Sequence, residues 1–168
     1  MNLLQKYKKD IPPLPKSLWH NPLHFVAFGF GAGALPFAPG TFGTLMAIPF
    51  YWLLQHLPST AYLIIVIAIT IGSIIISDRV AKEINVHDHP GMCLDEIVGY
   101  LITMLYAPKG ILWIVIGFLL FRLFDIWKPW PIRLIDEQVH GGLGIILDDV
   151  LAGIYSFVLL QSLHWILL

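Results

Sequence analysis

Apolar residues form long runs in this chain, and most polar residues are confined to short stretches between them. Residues 57–77 (LPSTAYLIIVIAITIGSIIIS) have the length of about 20 residues that crosses a bilayer as a helix. Residues 44–56 are also apolar, but Pro49 interrupts them, and HLPST forms a short turn between the two runs. This pattern predicts a first helical hairpin.

Three further runs complete the predicted helices. Residues 97–107 and 111–124 predict a second hairpin that turns at APKG, and residues 150–168 predict a terminal helix. The second hairpin is too short to cross a bilayer without carrying charged residues into it, so we expect it to sit partly inside a bundle. The sequence therefore predicts an all-α fold, a membrane-associated bundle of about five main helices.

Composition supports a membrane location. The chain is 57% hydrophobic and only 12% charged, whereas soluble domains carry about 25% charged residues. Residues 17–77 contain no Asp, Glu, Lys or Arg, and ten of the eleven acidic residues lie between Asp78 and Asp149. The net charge of −1 gives no indication of a nucleic-acid partner.

The N-terminal 20 residues form a mostly basic arm, and residues 21–168 are expected to form one domain. The charged residues of the arm include Lys6, Lys8, Asp10 and Lys16. It is not a secretory signal peptide, because the first long apolar run comes too late and lacks a small-residue cleavage site. The positive-inside rule places this arm in the cytoplasm.

Two hairpins would return the chain twice to the side of the basic arm. Three polar stretches, residues 29–43, 78–96 and 122–149, then share that side, so we expect the polar loops to gather on one face. The first is rich in glycine, which permits close backbone approach to an anion. Its candidate phosphate-binding residues, before a predicted helix N-terminus, are Gly40, Thr41, Gly43 and Thr44. The alternative is a tight turn that packs between helices.

The second polar stretch, VHDHPGMCLDEIVGY, gathers five polar residues within ten positions: His87, Asp88, His89, Asp95 and Glu96. Acidic residues in a first helical turn favour the helix macrodipole, but this explains only one of the five well. A zinc site formed by His87, His89 and Cys93 is an alternative, although carboxylates outnumber the soft ligands.

The third stretch contains FRLFDIWKPWPIRLID and a pair of aspartates. Arg122 and Asp125 are three positions apart and share a helical face, which Lys128 continues. An acid inside an apolar helix is costly and is usually functional, which singles out Asp125. Asp148 and Asp149 precede VLAGIYSFVLL, where one of them would cap the last helix and the second would lack a structural role.

Together the stretches place five carboxylates on one membrane face: Asp95, Glu96, Asp125, Asp148 and Asp149. Clustered acids protonate or separate unless a cation sits between them, and Mg²⁺ takes oxygen ligands and often completes its shell with phosphate. Arg122, Lys128 and Arg133 are candidates to bind that phosphate. We therefore expect a metal site that activates a phosphorylated lipid. The alternative from a different class is a small ion-coupled membrane transporter, whose acids line a cation path.

Four motifs occur in order over residues 24–155, and together they closely resemble the phosphatidylglycerophosphatase A family of bacterial membranes: PGTFGTL, HDHP…DEIVGY, FRLFDIWKPWPI and GGLGIILDDVLAG. The resemblance implies a Mg²⁺-dependent lipid phosphatase with a helical fold in the bacterial inner membrane. Its substrate would be phosphatidylglycerophosphate, hydrolysed to phosphatidylglycerol and inorganic phosphate. Whether the chain forms a homo-oligomer stays open.

The family's motifs fall on the residues already singled out. The resemblance implies that the catalytic residues are His87, Asp88, Asp95, Glu96, Asp125 and Asp149. The resemblance also carries over Arg122 from the FR-x-x-D motif and Asp148 from the DD motif. The chain departs from the family pattern at Thr44, where serine is common, and at PGMC; neither change removes a carboxylate.

Overall fold

The structure, a computed structural model, describes residues 12–167, which are helical and contain no strand. The helices are α1 (Pro22–Ala27), a 3-10 segment (Gly29–Ala34), α2 (Pro39–Leu54), α3 (Ser59–Ile84), α4 (Leu94–Thr103), α5 (Ile111–Trp127), α6 (Ile132–Gln138) and α7 (Gly141–Leu167). The predicted all-α fold is confirmed, although these residues form seven α-helices rather than about five. Lys6, Lys8 and Asp10 of the basic arm lie outside the described residues.

Two helices extend well beyond their predicted ends. α3 continues to Ile84, and Asn85 ends it in the left-handed conformation, with φ of 57°. α7 begins at Gly141 because the Asp78 carboxylate accepts a hydrogen bond from the Gly142 N–H at 3.1 Å. The expectation that Asp148 or Asp149 caps the last helix is therefore wrong, since both lie inside α7.

The short helix α4 occupies the centre of the bundle. It packs against α2, α3, α5 and α7, and its side chains from Ile97 to Leu101 are buried. At about 1.5 Å per residue its ten residues are too short to cross a bilayer. The position inside the bundle agrees with the expectation for the second hairpin.

The outer surface of the bundle is apolar along its length. α3 and α7 are both long and apolar enough to cross a membrane. Large apolar side chains are exposed along α3, α5 and α7, among them Ile64, Ile75, Leu119, Ile126 and Val158. Contiguous exposed apolar surface of this kind marks contact with a membrane or a partner.

Exposed aromatic residues lie at both ends of the bundle: Trp19, Trp127 and Trp130 at one end, Trp52, Tyr106 and Trp165 at the other. The first end also holds the start of α2, the end of α3, the starts of α4 and α7, and the end of α5. Contacts such as those of Lys128 with Asp148 and of His87 with Gly141 join these segments. The three polar stretches thus meet at one end, as the sequence predicts.

Candidate active site

The centre of the candidate site is a set of three carboxylates from α4 and α7. Asp95 and Glu96 lie in the first turn of α4, and Asp149 lies inside α7. One oxygen from each carboxylate lies within 4.8 Å of the other two, a spacing that suits a metal ion. Only oxygen donors are present, which favours a hard cation such as Mg²⁺ over zinc.

Two glycines allow α4 and α7 to bring these carboxylates together. A Cβ atom on Gly153 would lie 2.5 Å from the Gly99 carbonyl oxygen, and one on Gly99 would lie 2.7 Å from the Asp149 carbonyl oxygen. The two backbones are therefore close enough that no side chain fits between them. This approach places Asp149 beside the first turn of α4.

Only one of the two carboxylate oxygens of Glu96 lies near a basic group. Its Oε1 lies 3.9 Å from Nη1 of Arg122, whereas its Oε2 is buried and has no hydrogen-bond partner among residues 12–167. Arg122 donates a short hydrogen bond to Asp125, so its Nη1 is shared between two acids. A buried carboxylate oxygen without a partner is costly, and a metal ion would satisfy it.

Lys128 holds a second pair of carboxylates on the same side of the site. Its Nζ lies 2.7 Å from Asp148 and 2.8 Å from Asp136. Lys128 follows α5 in the left-handed conformation, with φ of 44°, and this turns its side chain away from the axis of α5. Asp148 is therefore occupied by an ammonium group rather than by the carboxylate set of Asp149.

These groups surround a polar cavity of about 190 Å³. Its wall contains seven carboxylates against one lysine, Lys128, and the seven are Asp88, Asp95, Glu96, Asp125, Asp136, Asp148 and Asp149. Burial raises the pKa of Glu96 to about 8, to which the charges of Asp149 and Asp125 contribute, while Arg122 opposes the shift. Burial likewise raises the pKa of Asp88 and, with Glu96 beside it, that of Asp95. The cavity thus carries more acid than it can hold ionised without a cation.

The two histidines of HDHP have different surroundings. His87 lines the cavity, and its Nε2 accepts a hydrogen bond from the Gly141 N–H at 2.8 Å. His89 is buried, donates from Nε2 to the Pro12 carbonyl oxygen and accepts at Nδ1 from Gly91. Cys93 is buried too, with its thiol directed at the Gly91 carbonyl oxygen. The zinc alternative is not supported, because His89 and Cys93 are committed to backbone groups.

The glycine-rich stretch packs against the acids and does not form a loop around a phosphate. A Cβ atom on Gly40 would collide with the Glu96 carboxylate and would lie 3.1 Å from Nη1 of Arg122, and one on Gly43 would lie 2.5 Å from Cys93. The Thr44 hydroxyl donates to the Gly40 carbonyl oxygen at 2.8 Å, and Thr41 lies half-buried in the first turn of α2. These residues lie within α2 rather than before it, and the packing alternative describes them better.

The structure separates three predicted site residues, Asp125, Asp148 and Arg133, from the close set of carboxylates. Asp125 and Asp148 are paired with Arg122 and Lys128, and lie outside the close set of three acids. Arg133 pairs with Glu137 at 2.9 Å, and its side chain is 76% exposed, so the structure does not bring it to the cavity.

Asp136 is the site residue that sequence reasoning missed. It lies on the short helix α6, lines the cavity and pairs with Lys128. Its neighbour Glu137 is exposed and pairs with Arg133 instead. The only signal in the sequence was an acid eight positions after Lys128, and this did not distinguish Asp136 from Glu137.

Comparisons with known proteins identify the class and then the family. The family described as phosphatidylglycerophosphatase A matches residues 25–164. The phosphatidylglycerophosphatase A of Escherichia coli (strain K12) is 44% identical over 149 residues, 86% of each chain. That of Haemophilus influenzae (strain Rd) is 39% identical over 158 residues, 92% of this chain and 97% of the relative. The chain is therefore a phosphatase, a phosphoric monoester hydrolase, and it belongs to the phosphatidylglycerophosphatase A family.

A third relative carries a different name. A protein of Bacteroides thetaiotaomicron, provisionally named a phosphatidylinositol-3-phosphatase, is 38% identical over 153 residues, 84% of this chain and 93% of the relative. No solved structure matches the chain. The named relatives thus share a lipid phosphomonoester as the kind of substrate, but their names differ in its head group.

Proposed function

We propose that this chain hydrolyses phosphatidylglycerophosphate to phosphatidylglycerol and inorganic phosphate in phospholipid biosynthesis. The observation that carries the proposal is the close set of Asp95, Glu96 and Asp149, with a buried, unpartnered Glu96 oxygen beside Arg122. Family membership supplies the reaction class, and two closely similar relatives carry the name of this activity.

The carboxylate set fits Mg²⁺. Asp95, Glu96 and Asp149 would hold the ion, since they offer only oxygen donors and one of those oxygens lacks a partner among residues 12–167. When bound, such an ion supplies Lewis-acid charge to a phosphomonoester and lowers the pKa of a coordinated water. Asp125 and Asp148, which the sequence added to the ligands, would instead orient the basic residues.

The basic residues are oriented before any substrate arrives. The Asp125 carboxylate fixes the guanidinium of Arg122, and Asp136 and Asp148 fix the ammonium of Lys128. Lys128 lines the cavity and would bind the non-bridging oxygens of the phosphate, where charge-assisted hydrogen bonds are strong. Arg122, which the sequence also assigned to the phosphate, is not part of the cavity wall and would instead hold Glu96 and Asp125 in place. Pre-orientation lowers the entropy lost on binding.

Asp88 is the best placed of the cavity acids to exchange a proton. Asp125, Asp136 and Asp148 are ion-paired, and Asp95, Glu96 and Asp149 form the close set, whereas Asp88 has no ion pair among residues 12–167. Burial raises its pKa, which brings it nearer to neutrality, as a general acid or base requires. His87 also lines the cavity, and because its Nε2 accepts the Gly141 N–H, its neutral ring would carry a proton on Nδ1 and would act as a hydrogen-bond donor there.

We propose that the chain is a multi-pass protein of the bacterial inner membrane with its acidic cavity facing the cytoplasm. The support comes from α3 and α7, from the exposed apolar surface and from aromatic residues at both ends of the bundle. In this orientation the phosphate leaves to the cytoplasm and the lipid product stays in the bilayer.

Phosphate release from purified protein tests the proposal, with and without EDTA, on a panel of lipid phosphomonoesters. The panel contains phosphatidylglycerophosphate, phosphatidylinositol-3-phosphate and phosphatidic acid, because the relatives' names differ in head group. We expect phosphatidylglycerophosphate to be the best substrate, and loss of release in EDTA that Mg²⁺ restores. Full activity after exhaustive chelation would reject the metal site. Ion flux into liposomes without phosphate release would favour the alternative of an ion-coupled transporter. Family membership does not favour that alternative.

A further inference from the structure

A second cavity lies at the end of the bundle opposite the acids. It measures about 320 Å³ and lies between the turn that joins α2 to α3 and the turn that joins α4 to α5. Its wall includes Tyr51, His56, Ser59 and Lys109. None of these residues takes part in the site described above.

The wall of this cavity is basic, whereas the wall of the cavity at the other end of the bundle is acidic. The wall of the cavity contains Lys109 and His56 and no Asp or Glu. The two turns at this end, residues 55–58 and 104–110, and the last part of α7, residues 156–167, contain no Asp or Glu. Among residues 12–167, Lys109 therefore has no carboxylate with which to pair, in contrast to Lys128.

The N-terminus of α3 borders the same cavity. α3 is 26 residues long and begins at Ser59, which lines the cavity. Pro58 precedes it and provides no side-chain hydrogen bond to the first turn. A long helix with an uncapped N-terminus attracts anions through these N–H groups and through its macrodipole.

A buried phenol adds an independent donor. Tyr51 is only 2% exposed, and its hydroxyl has no hydrogen-bond partner among residues 12–167. The hydroxyls of its neighbours are used, since Tyr62 donates to the Leu101 carbonyl oxygen and Tyr100 to that of Ile114.

The orientation of the Tyr51 ring is fixed by the same neighbours. Its centroid lies 6.4 Å from those of Tyr62 and Tyr100, with the rings at 77° and 86°. Edge-to-face packing of this kind holds an aromatic side chain in one rotamer. Tyr51 lines the cavity, and its hydroxyl is not among the fully buried polar atoms, so we infer that the hydroxyl faces the cavity.

We propose that this cavity binds the phosphate group of an anion, with Lys109, the Tyr51 hydroxyl and the N-terminus of α3 as donors. In the membrane orientation above, the cavity lies at the far surface of the bilayer, where phosphate is present in lipid head groups and as the free ion. This cavity takes no part in the proposed reaction, so a test of phosphate binding here does not test the proposed function.

Binding measurements on the full-length protein in a non-ionic detergent test this site. The two probes are inorganic phosphate, followed by equilibrium dialysis, and short-chain phosphatidic acid, followed by native mass spectrometry with diacylglycerol of the same chain length as the phosphate-free control. EDTA is present throughout, so that no divalent cation recruits phosphate to the acidic cavity. Binding of both probes identifies recognition of phosphate itself, and binding of phosphatidic acid alone identifies a lipid as the source.

Two variants and two matched controls locate the binding. We expect Tyr51→Phe, which keeps the ring packing, to weaken binding about threefold, and Lys109→Gln to weaken it about tenfold, as expected for one neutral and one charged hydrogen bond. Tyr155→Phe beside Trp130 and Lys82→Gln beside Asp78 remove the same groups elsewhere and should change nothing. Thermal unfolding of each variant confirms that the fold is kept. Unchanged affinity in both cavity variants, or no binding of either probe by the unaltered chain, would overturn the proposal.

Discussion

Gly153 and Gly99 face each other across the contact of α4 with α7, where a Cβ on Gly153 would lie 2.5 Å from the Gly99 carbonyl oxygen. We therefore expect Gly153→Ala to push the helices apart at a cost of about 1–3 kcal/mol in the free energy of unfolding. The shift should also separate Asp149 from Glu96 and raise the Mg²⁺ concentration needed for half-maximal hydrolysis. Thermal unfolding and a Mg²⁺ titration measure the two effects.

Gly72→Ala is the matched control for this change. Gly72 lies within α3 and has nothing within 4 Å of the position that a Cβ would take. Alanine is about 1 kcal/mol better than glycine in a helix, so stability should stay equal or rise. A Gly153→Ala protein as stable and as active as Gly72→Ala would show that the contact of α4 with α7 is not tight.

Asp149→Asn should remove hydrolysis while keeping the fold. The amide preserves size but removes one charge from the close carboxylate set, so kcat should fall about 100-fold or more, which is about 2.7 kcal/mol. Excess Mg²⁺ should partly restore the rate if weakened metal binding is the cause. Glu137→Gln removes an acid of the exposed pair with Arg133 and should leave turnover unchanged. Equal turnover in the two variants would remove Asp149 from the site.

Lys128 and Asp136 should affect the reaction to different degrees. Lys128→Gln removes the cation that we assign to the phosphate, and kcat/KM should fall about 100-fold, or roughly 2.7 kcal/mol. Asp136→Asn leaves Lys128 bonded to Asp148 and should change KM by about threefold to tenfold. Steady-state kinetics separate the two constants.

Arg133→Gln is the control for this pair. Since Arg133 is exposed and bonded to Glu137, kcat/KM should stay within about twofold. A large loss would restore the sequence-based assignment of Arg133 to phosphate binding. It would also mean that the substrate reaches beyond the cavity.

Stability without divalent cations should fall as the pH rises through neutrality. Burial raises the pKa of Glu96 from an ordinary 4.5 to about 8, so between these values the folded state binds more protons than the unfolded state. Stability then decreases with increasing pH across this window. Thermal unfolding in EDTA at about pH 5 to about pH 8 should show the melting temperature falling as the pH rises. Glu96→Gln should make the melting temperature depend less steeply on pH. A melting temperature that rises with pH in EDTA would contradict the buried carboxylate cluster.

The two ends of the bundle should differ in accessibility from outside the cell. Cys93 is buried, so background labelling by a thiol reagent should be low. A membrane-impermeant reagent added to spheroplasts should label His56→Cys, in the turn before α3, and should miss Glu137→Cys at the acidic end. The reverse pattern would invert the proposed orientation, with the site outside the cytoplasm.

The sequence predicted the helical class and the gathering of polar stretches because both follow from where apolar residues occur. It did not predict the start of α7, since GGLG has the composition of a loop. That start depends on a hydrogen bond from Gly142 to Asp78, 64 residues earlier in the chain. Contacts between distant segments leave no local signature.

The sequence identified the acids and placed Arg122 on the same helical face as Asp125, but it did not predict the partners of Lys128. Asp125, Asp148 and Asp149 were singled out because charge in an apolar stretch is costly, a property of composition. Which acid pairs with Lys128 depends on the left-handed turn after α5 and on the placement of α6. Gly40 and Gly43 look like a phosphate loop in sequence, yet in the structure they make room for Glu96 and Cys93.

The excess of seven carboxylates over one lysine in the cavity wall also bears on how the reaction ends. Inorganic phosphate is a compact dianion near neutrality, and the ring of acids repels it wherever a cation does not hold it. The uncharged parts of the lipid product meet no such repulsion and partition back into the hydrocarbon phase. We therefore expect weak product inhibition by phosphate, because the acids that we propose to hold a cation for catalysis would also repel the departing anion and clear the site for the next turnover.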